Sequence, residues 1–195
     1  MIQRLSRITR AVGRHVGQLL IHDLPADRIF HNLHHTIDVV QGVLEIGEAE
    51  GLSQKDLEIV LLAAWFHDTG HTKVYAGHEA ESCVIAREYL ERKAYPAEDL
   101  EKVLGCIRAT KMPQSPKNHL EEVLCDADMY HLSHPTYEQS QVLLREEWWL
   151  TLGHERTDQE WEQENDLFLL EHSYFTHYGK KELQRRKDIY GLGVG

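Results

Sequence analysis

The chain is poor in several things, and each shortage closes a class of answers. It has no run of about 18 apolar residues, so no membrane span is expected. It has 3 cysteines in 195 residues, Cys83, Cys106 and Cys125. They sit in apolar helical patterns and form no spaced motif, which reads as buried thiols in a reducing cytosol. Basic charge is scarce, since 21 Lys and Arg against 32 Asp and Glu leave a net charge of −11. A chain this acidic repels polyphosphate backbones, which argues against general nucleic-acid binding. A small phosphate substrate stays open if a metal supplies positive charge locally. The N-terminal MIQRLSRITRAVGRHVGQLLIHD is too polar, and too often interrupted by arginine, for a secretory signal. With Leu5, Ile8, Val12, Val16 and Leu19 on one side it reads as an amphipathic helix, and the expected location is cytoplasmic. Strand patterns, internal repeats and low-complexity segments are also missing.

What the chain has is helical periodicity and histidine. Apolar residues recur with a 3.6 period along almost every segment. One helix is expected from about Arg28 to Glu50, closed by Gly51, and the next opens at Ser53 with Asp56 three residues on and ends at Gly70. Others are expected over His78 to Arg92, from PAEDLEKV to Thr110, in HLEEVLCDADMYHL, from Pro135 through YEQSQVLLREEWWL, and in a segment capped by Thr157 or Asp158. A basic helix and a Gly-rich tail close the chain. The expected fold is an all-α helical bundle of about eight or nine helices, one domain over 1–195. The 14 histidines are dispersed, unlike an expression tag, and histidine is both the commonest metal ligand and the usual acid or base near neutral pH.

Three stretches concentrate chemistry. In WFHDTGH, His67 and Asp68 are adjacent at a helix end, and an ion against that edge reaches both. A neutral nitrogen with a carboxylate suits Zn, Mn, Fe or Mg. The bland alternative is a dipeptide that only caps the helix. In FHNLHHTIDVV, His31 and His35 are four apart and so share one helix face, while His34 points elsewhere. A single imidazole there reads equally as a satisfied core histidine. In LCDADMYHL, Asp126 and Asp128 lie among apolar residues and ask for a cation or several donors, unless they face water.

The order H…HD…D, carried by HTIDVV, AAWFHDTGH, GHEAES, IRAT and LCDADM, resembles the HD-domain superfamily of metal-dependent phosphohydrolases. The resemblance covers a metal-binding core of about 28–132, with a C-terminal helical extension over about 135–195. It implies an all-α bundle around a divalent ion (Mn, Zn, Fe, Ni, Co or Mg) held by His35, His67, Asp68 and Asp128, with Asp128 chosen over Asp126. FHNLHHTIDV also resembles a stretch of the cyclic-nucleotide phosphodiesterases, a distant branch. That likeness implies that His31 protonates the leaving oxygen. His78 stands where two-metal members have a further histidine, but Thr110 and Lys111 stand where the next one falls. One ion per chain is therefore expected, with a weak second on His78 and Asp68 as the alternative.

The implied activity is hydrolysis of a small phosphoester or phosphoanhydride, a nucleotide ahead of others, with His31 and Asp68 catalytic. Lys111, Arg145 and His78 are the substrate-binding candidates, with Lys73 and Arg185–Arg186 behind them; for each lysine and arginine a solvated surface charge is the commoner reading. Trp148, Trp149, Tyr174 and Phe175 either stack on a nucleobase or pack the second helical layer. A homodimer is possible. The competing functions are a di-iron oxygenase of the same fold and a metal-binding module without turnover.

Overall fold

The computed structural model describes residues 5–191. Among them nine α-helices follow in order: α1 Arg7–Asp23, α2 Leu33–Ala49, α3 Gln54–Phe66, α4 His78–Arg92, α5 Ala97–Ala109, α6 His119–Asp128, α7 Tyr137–Leu152, α8 Asp158–Glu171 and α9 Gln184–Tyr190. No strand is present among the described residues, and no described helix is long and apolar enough to cross a membrane. The expected all-α class is met. The Gly-rich tail beyond Gly191 and the first four residues of the amphipathic N-terminus lie outside the described residues.

The helix starts follow local chemistry. Ser53 accepts from the Asp56 N–H, and Thr157 forms a reciprocal capping box with Glu160, so Thr157 rather than Asp158 is the cap. Helix α3 is buried on every side from Ile59 to Ala64 and again at Phe66, and it packs against α1, α2, α5 and α6. A helix apolar all round belongs at the centre of a bundle. Its partner α2 approaches α6 closely, because Gly42 leaves room where a Cβ would press on Tyr130 and the Ala127 backbone at 3.1–3.3 Å.

Two boundaries differ from the sequence reading, and both shape the site. Helix α2 starts at Leu33, not near Arg28, because Asn32 caps it by accepting from the N–H groups of His34 and His35. His31 therefore precedes the helix and does not share a helical face with His35. Helix α3 stops at Phe66, and the chain turns through a 3₁₀ segment, Thr69–Thr72. Gly70 is not the helix terminator; a Cβ there would collide with the carbonyl oxygen of His78, so its role is to let α4 start against this turn.

Candidate metal centre

Each donor comes from the end of a different element around α3. His35 lies in the first turn of α2, His67 caps α3, Asp68 follows it, and Asp128 ends α6. His35 Nε2 is 3.4 Å from His67 Nε2, 3.4 Å from Asp68 Oδ2 and 3.3 Å from Asp128 Oδ1. His67 Nε2 is 3.2 and 3.5 Å from the same two oxygens. Donors about 3.3 Å apart enclose a point roughly 2 Å from each, the bond length of zinc to imidazole or carboxylate.

The surroundings prepare these atoms for a cation. His67 Nδ1 donates to the Ala64 carbonyl at 2.8 Å, which turns the Nε2 lone pair toward the cluster. Asp68 Oδ2 is buried and has no hydrogen-bond partner. Burial disfavours charge on His67, yet Asp68 and Asp128 raise its pKa well above the usual imidazole value. Burial would also raise Asp128, but His35 and His67 hold it well below the carboxylate range. The cluster demands a positive charge, and the donor set fits a divalent ion. Gln114 donates to the other oxygen of Asp128 at 3.3 Å and to the Cys125 carbonyl at 3.2 Å, bracing this ligand from the 110–118 loop.

The remaining sequence candidates divide sharply. Asp126 is spent on structure, accepting from Phe175 N–H at 2.8 Å, Thr176 N–H at 2.9 Å and Thr176 Oγ1 at 2.7 Å. His34 is exposed and pairs with Asp38. His78 Nε2 sits 3.3 Å from Asp68 Oδ1, and burial is outweighed by Asp68 so that its pKa rises to about 8. Lys111 and Lys73 are exposed and do not line the cavity beside the cluster, although Thr110 and Met112 do. Arg145 does not line that cavity either; it pairs with Asp158 at 2.8 Å. Arg185 and Arg186 are engaged by Glu182 and Glu45. Trp148 lines the cavity, whereas Trp149 is exposed and Tyr174 belongs to the core.

The sequence reading missed Glu147. Its carboxylate is fully buried; one oxygen accepts from the backbone N–H of Phe30 at 2.8 Å and of His31 at 3.0 Å, and the other meets His31 Nδ1 and the Tyr75 hydroxyl. Burial would raise its pKa, but His31 holds it below the usual value, so Glu147 is ionised and fixes a proton on Nδ1. The signal was available, since Glu147 is the buried charge on the inward stripe of α7 that also carries Tyr137, Leu144 and Trp148. His71 was missed as well. It is buried with both nitrogens unpartnered, stacked against His31 at 4.6 Å and His78 at 3.8 Å, and burial lowers its pKa to about 3. His31, Asp68 and His71 form a second group of donor atoms within 4.8 Å of one another.

The cluster opens onto a cavity of about 430 Å³ between the bundle and the α7–α8 pair. With a carboxylate–imidazole donor set at its floor and an acid–imidazole pair at its edge, the arrangement is suited to metal-assisted hydrolysis. The HD domain model matches residues 32–133, just over half of the chain, and the chain belongs to this family, whose members are in general metal-dependent hydrolases that bind divalent ions. A structural-genomics crystal structure of a Lactobacillus plantarum protein has a similar fold, with TM-score 0.64 and 16% identity, over 98% of this chain and 93% of that one. No curated protein matches the sequence significantly.

Proposed function

We propose that this protein hydrolyses a small phosphoester, using one divalent ion held by His35, His67, Asp68 and Asp128. Held by these four residues, a divalent ion would supply Lewis acidity, lowering the pKa of a bound water from about 15.7 toward about 7. The chain supplies the rest. His31, outside the donor set and backed by the buried Glu147 carboxylate, holds a proton on its free nitrogen for the leaving oxygen. Asp68 offers one oxygen to the ion, while its other oxygen is oriented by His78. The observation that carries the reading is the orphaned, buried Asp68 Oδ2 within 3.4 Å of two imidazoles, beside an independent histidine–glutamate pair.

The test is a metal-supplemented screen against nucleoside mono-, di- and triphosphates, cyclic nucleotides and generic phosphoesters. Turnover should require added metal and vanish in Asp68→Ala; metal-bound protein with no turnover on any member would overturn the reading. A second reading, an oxygen-using two-iron centre, draws on the His31, Asp68 and His71 group. It predicts two ions per chain and iron-dependent oxygen uptake, whereas the hydrolase predicts one ion and none.

A further inference from the structure

We propose that the substrate is a phosphomonoester of an alcohol that also bears a flat aromatic body, as in a nucleoside monophosphate, and that di- and triphosphates are poor ligands. This rests on the phosphohydrolase reading and narrows it through the walls of the cavity.

The first observation is charge. Among the described residues no lysine or arginine lines the cavity, and its lining carboxylates include Glu79 and Glu164 beyond Asp68 and Asp128. Arg156 meets Glu164 at 2.7 Å, and the weak partner of Glu79 is His78 at 3.8 Å. One divalent ion offsets Asp68 and Asp128, and one phosphate can share that ion. A second or third phosphate would have to sit against Glu79 or apolar wall, with no lysine or arginine among the described residues to receive it, and the His78 imidazole already faces Asp68 and Glu79.

The second observation is the wall itself. Met112, Leu144, Trp148, Trp161 and Phe168 make it apolar, and the two indoles stand at 83° with centroids 5.6 Å apart. A rigid corner of this kind offers one aromatic face and one aromatic edge to a flat ring.

The third is polarity within the same lining. Trp161 Nε1 donates to Gln141 Oε1 at 3.1 Å, and an indole N–H is a donor only, so this bond fixes which way the Gln141 amide points. Asn165 Oδ1 is likewise engaged by the Tyr137 hydroxyl. Both amides line the cavity, and their NH₂ groups have no acceptor among the described residues. The aromatic body therefore carries hydrogen-bond acceptors, as a nucleobase does.

The reaction on such a substrate balances without a further reactant. Water oxygen bonds to phosphorus, the ester P–O bond breaks, and its electron pair leaves on the organic oxygen. That oxygen takes a proton from His31, the proton released by water restores the acid, and an alcohol and inorganic phosphate result.

Isothermal titration calorimetry on metal-loaded protein tests the proposal. The ligands are inorganic phosphate, glycerol phosphate, the phosphonate analogue of a nucleoside monophosphate, and the matching nucleoside triphosphate. The monophosphate analogue should bind at least tenfold tighter than each of the other three. Trp148→Ala should collapse its advantage over inorganic phosphate, and Gln141→Leu should reduce that advantage. A triphosphate that binds as tightly as the analogue overturns the proposal, and so does an advantage that survives in a folded Trp148→Ala protein; the wild-type series decides alone if that variant does not fold. If inorganic phosphate binds but the aromatic body adds nothing, this inference fails and the hydrolase reading stands. If no phosphate binds the metal-loaded protein, both fail.

Discussion

Near the C-terminal end of α2, Glu45 accepts from Tyr130 at 2.5 Å, from Tyr178 at 2.7 Å and from Arg186 at 2.8 Å. In the first turn of the same helix, His35 faces Asp68 and Asp128, and among the described residues no lysine or arginine pairs with either carboxylate. Both places gather carboxylates from distant parts of the chain. At Glu45 the fold supplies the cation itself, from α9, and every charge is answered within the protein. At His35 the fold supplies imidazoles, which are neutral ligands by preference, and leaves a buried oxygen of Asp68 unanswered. A charge cluster completed by arginine holds elements together; one completed only by imidazole is built for something that arrives later.

The sharpest way to break that comparison is His67→Ala. It should reduce bound metal from near one per chain to none and turnover to background, read by elemental analysis beside activity, while Arg186→Ala leaves metal content unchanged. Metal loss from both variants would mean that the two ends are not distinct. Next, His31→Ala should keep its metal and lose about 10²- to 10⁴-fold in turnover, the usual contribution of a positioned acid. If it loses metal instead, His31 is a ligand and belongs with His71.

Glu147→Gln should cost less, about tenfold to a hundredfold in turnover, as supporting hydrogen bonds at a site generally do. It also carries a pH signature. Burial opposes the Glu147 charge, but His31 and two backbone N–H groups hold its pKa below the ordinary 4.5. A carboxylate depressed in the folded state adds stability above its unfolded pKa and loses it as the pH falls through the folded value. Urea midpoints of wild type and Glu147→Gln should therefore differ at neutral pH and converge below about pH 4.5. A gap that widens on acidification would show that Glu147 is not the ionised partner. The smallest effect is expected from Arg186→Ala. Its ion pair with Glu45 is partly open to solvent, so the loss is about 1 kcal/mol or less, readable as a small shift of the thermal midpoint.

Much of the fold is legible from local chemistry. The periodicity and the caps at Ser53 and Thr157 mark helices whose limits the structure reproduces within a few residues. The failure at α2 has the same local origin, since Asn32 caps the helix by accepting from the His34 and His35 N–H groups, and the apolar period continuing upstream concealed it. At the site, the fold brings His35 and His67 within about 3.5 Å of each other and of one oxygen each from Asp68 and Asp128, the residues proposed as donors from the H…HD…D order. Lys111 and Arg145 were nominated for positive charge alone, and charge says nothing about direction; both lie outside the cavity.

The sequence by itself determined the helical class and the family, and it nominated the donor residues, because periodicity, capping and short motifs are encoded within a turn or two of chain. Only the tertiary structure decided that Glu147 reaches His31 across 116 positions, that Asp126 anchors the segment after α8 while Asp128, two residues on, turns to the ion site, and that the cavity is walled by indoles rather than by cations. Those outcomes depend on how α7 and α8 lie over the bundle. Packing between distant helices is set by the whole apolar surface at once, and no short stretch of sequence records it.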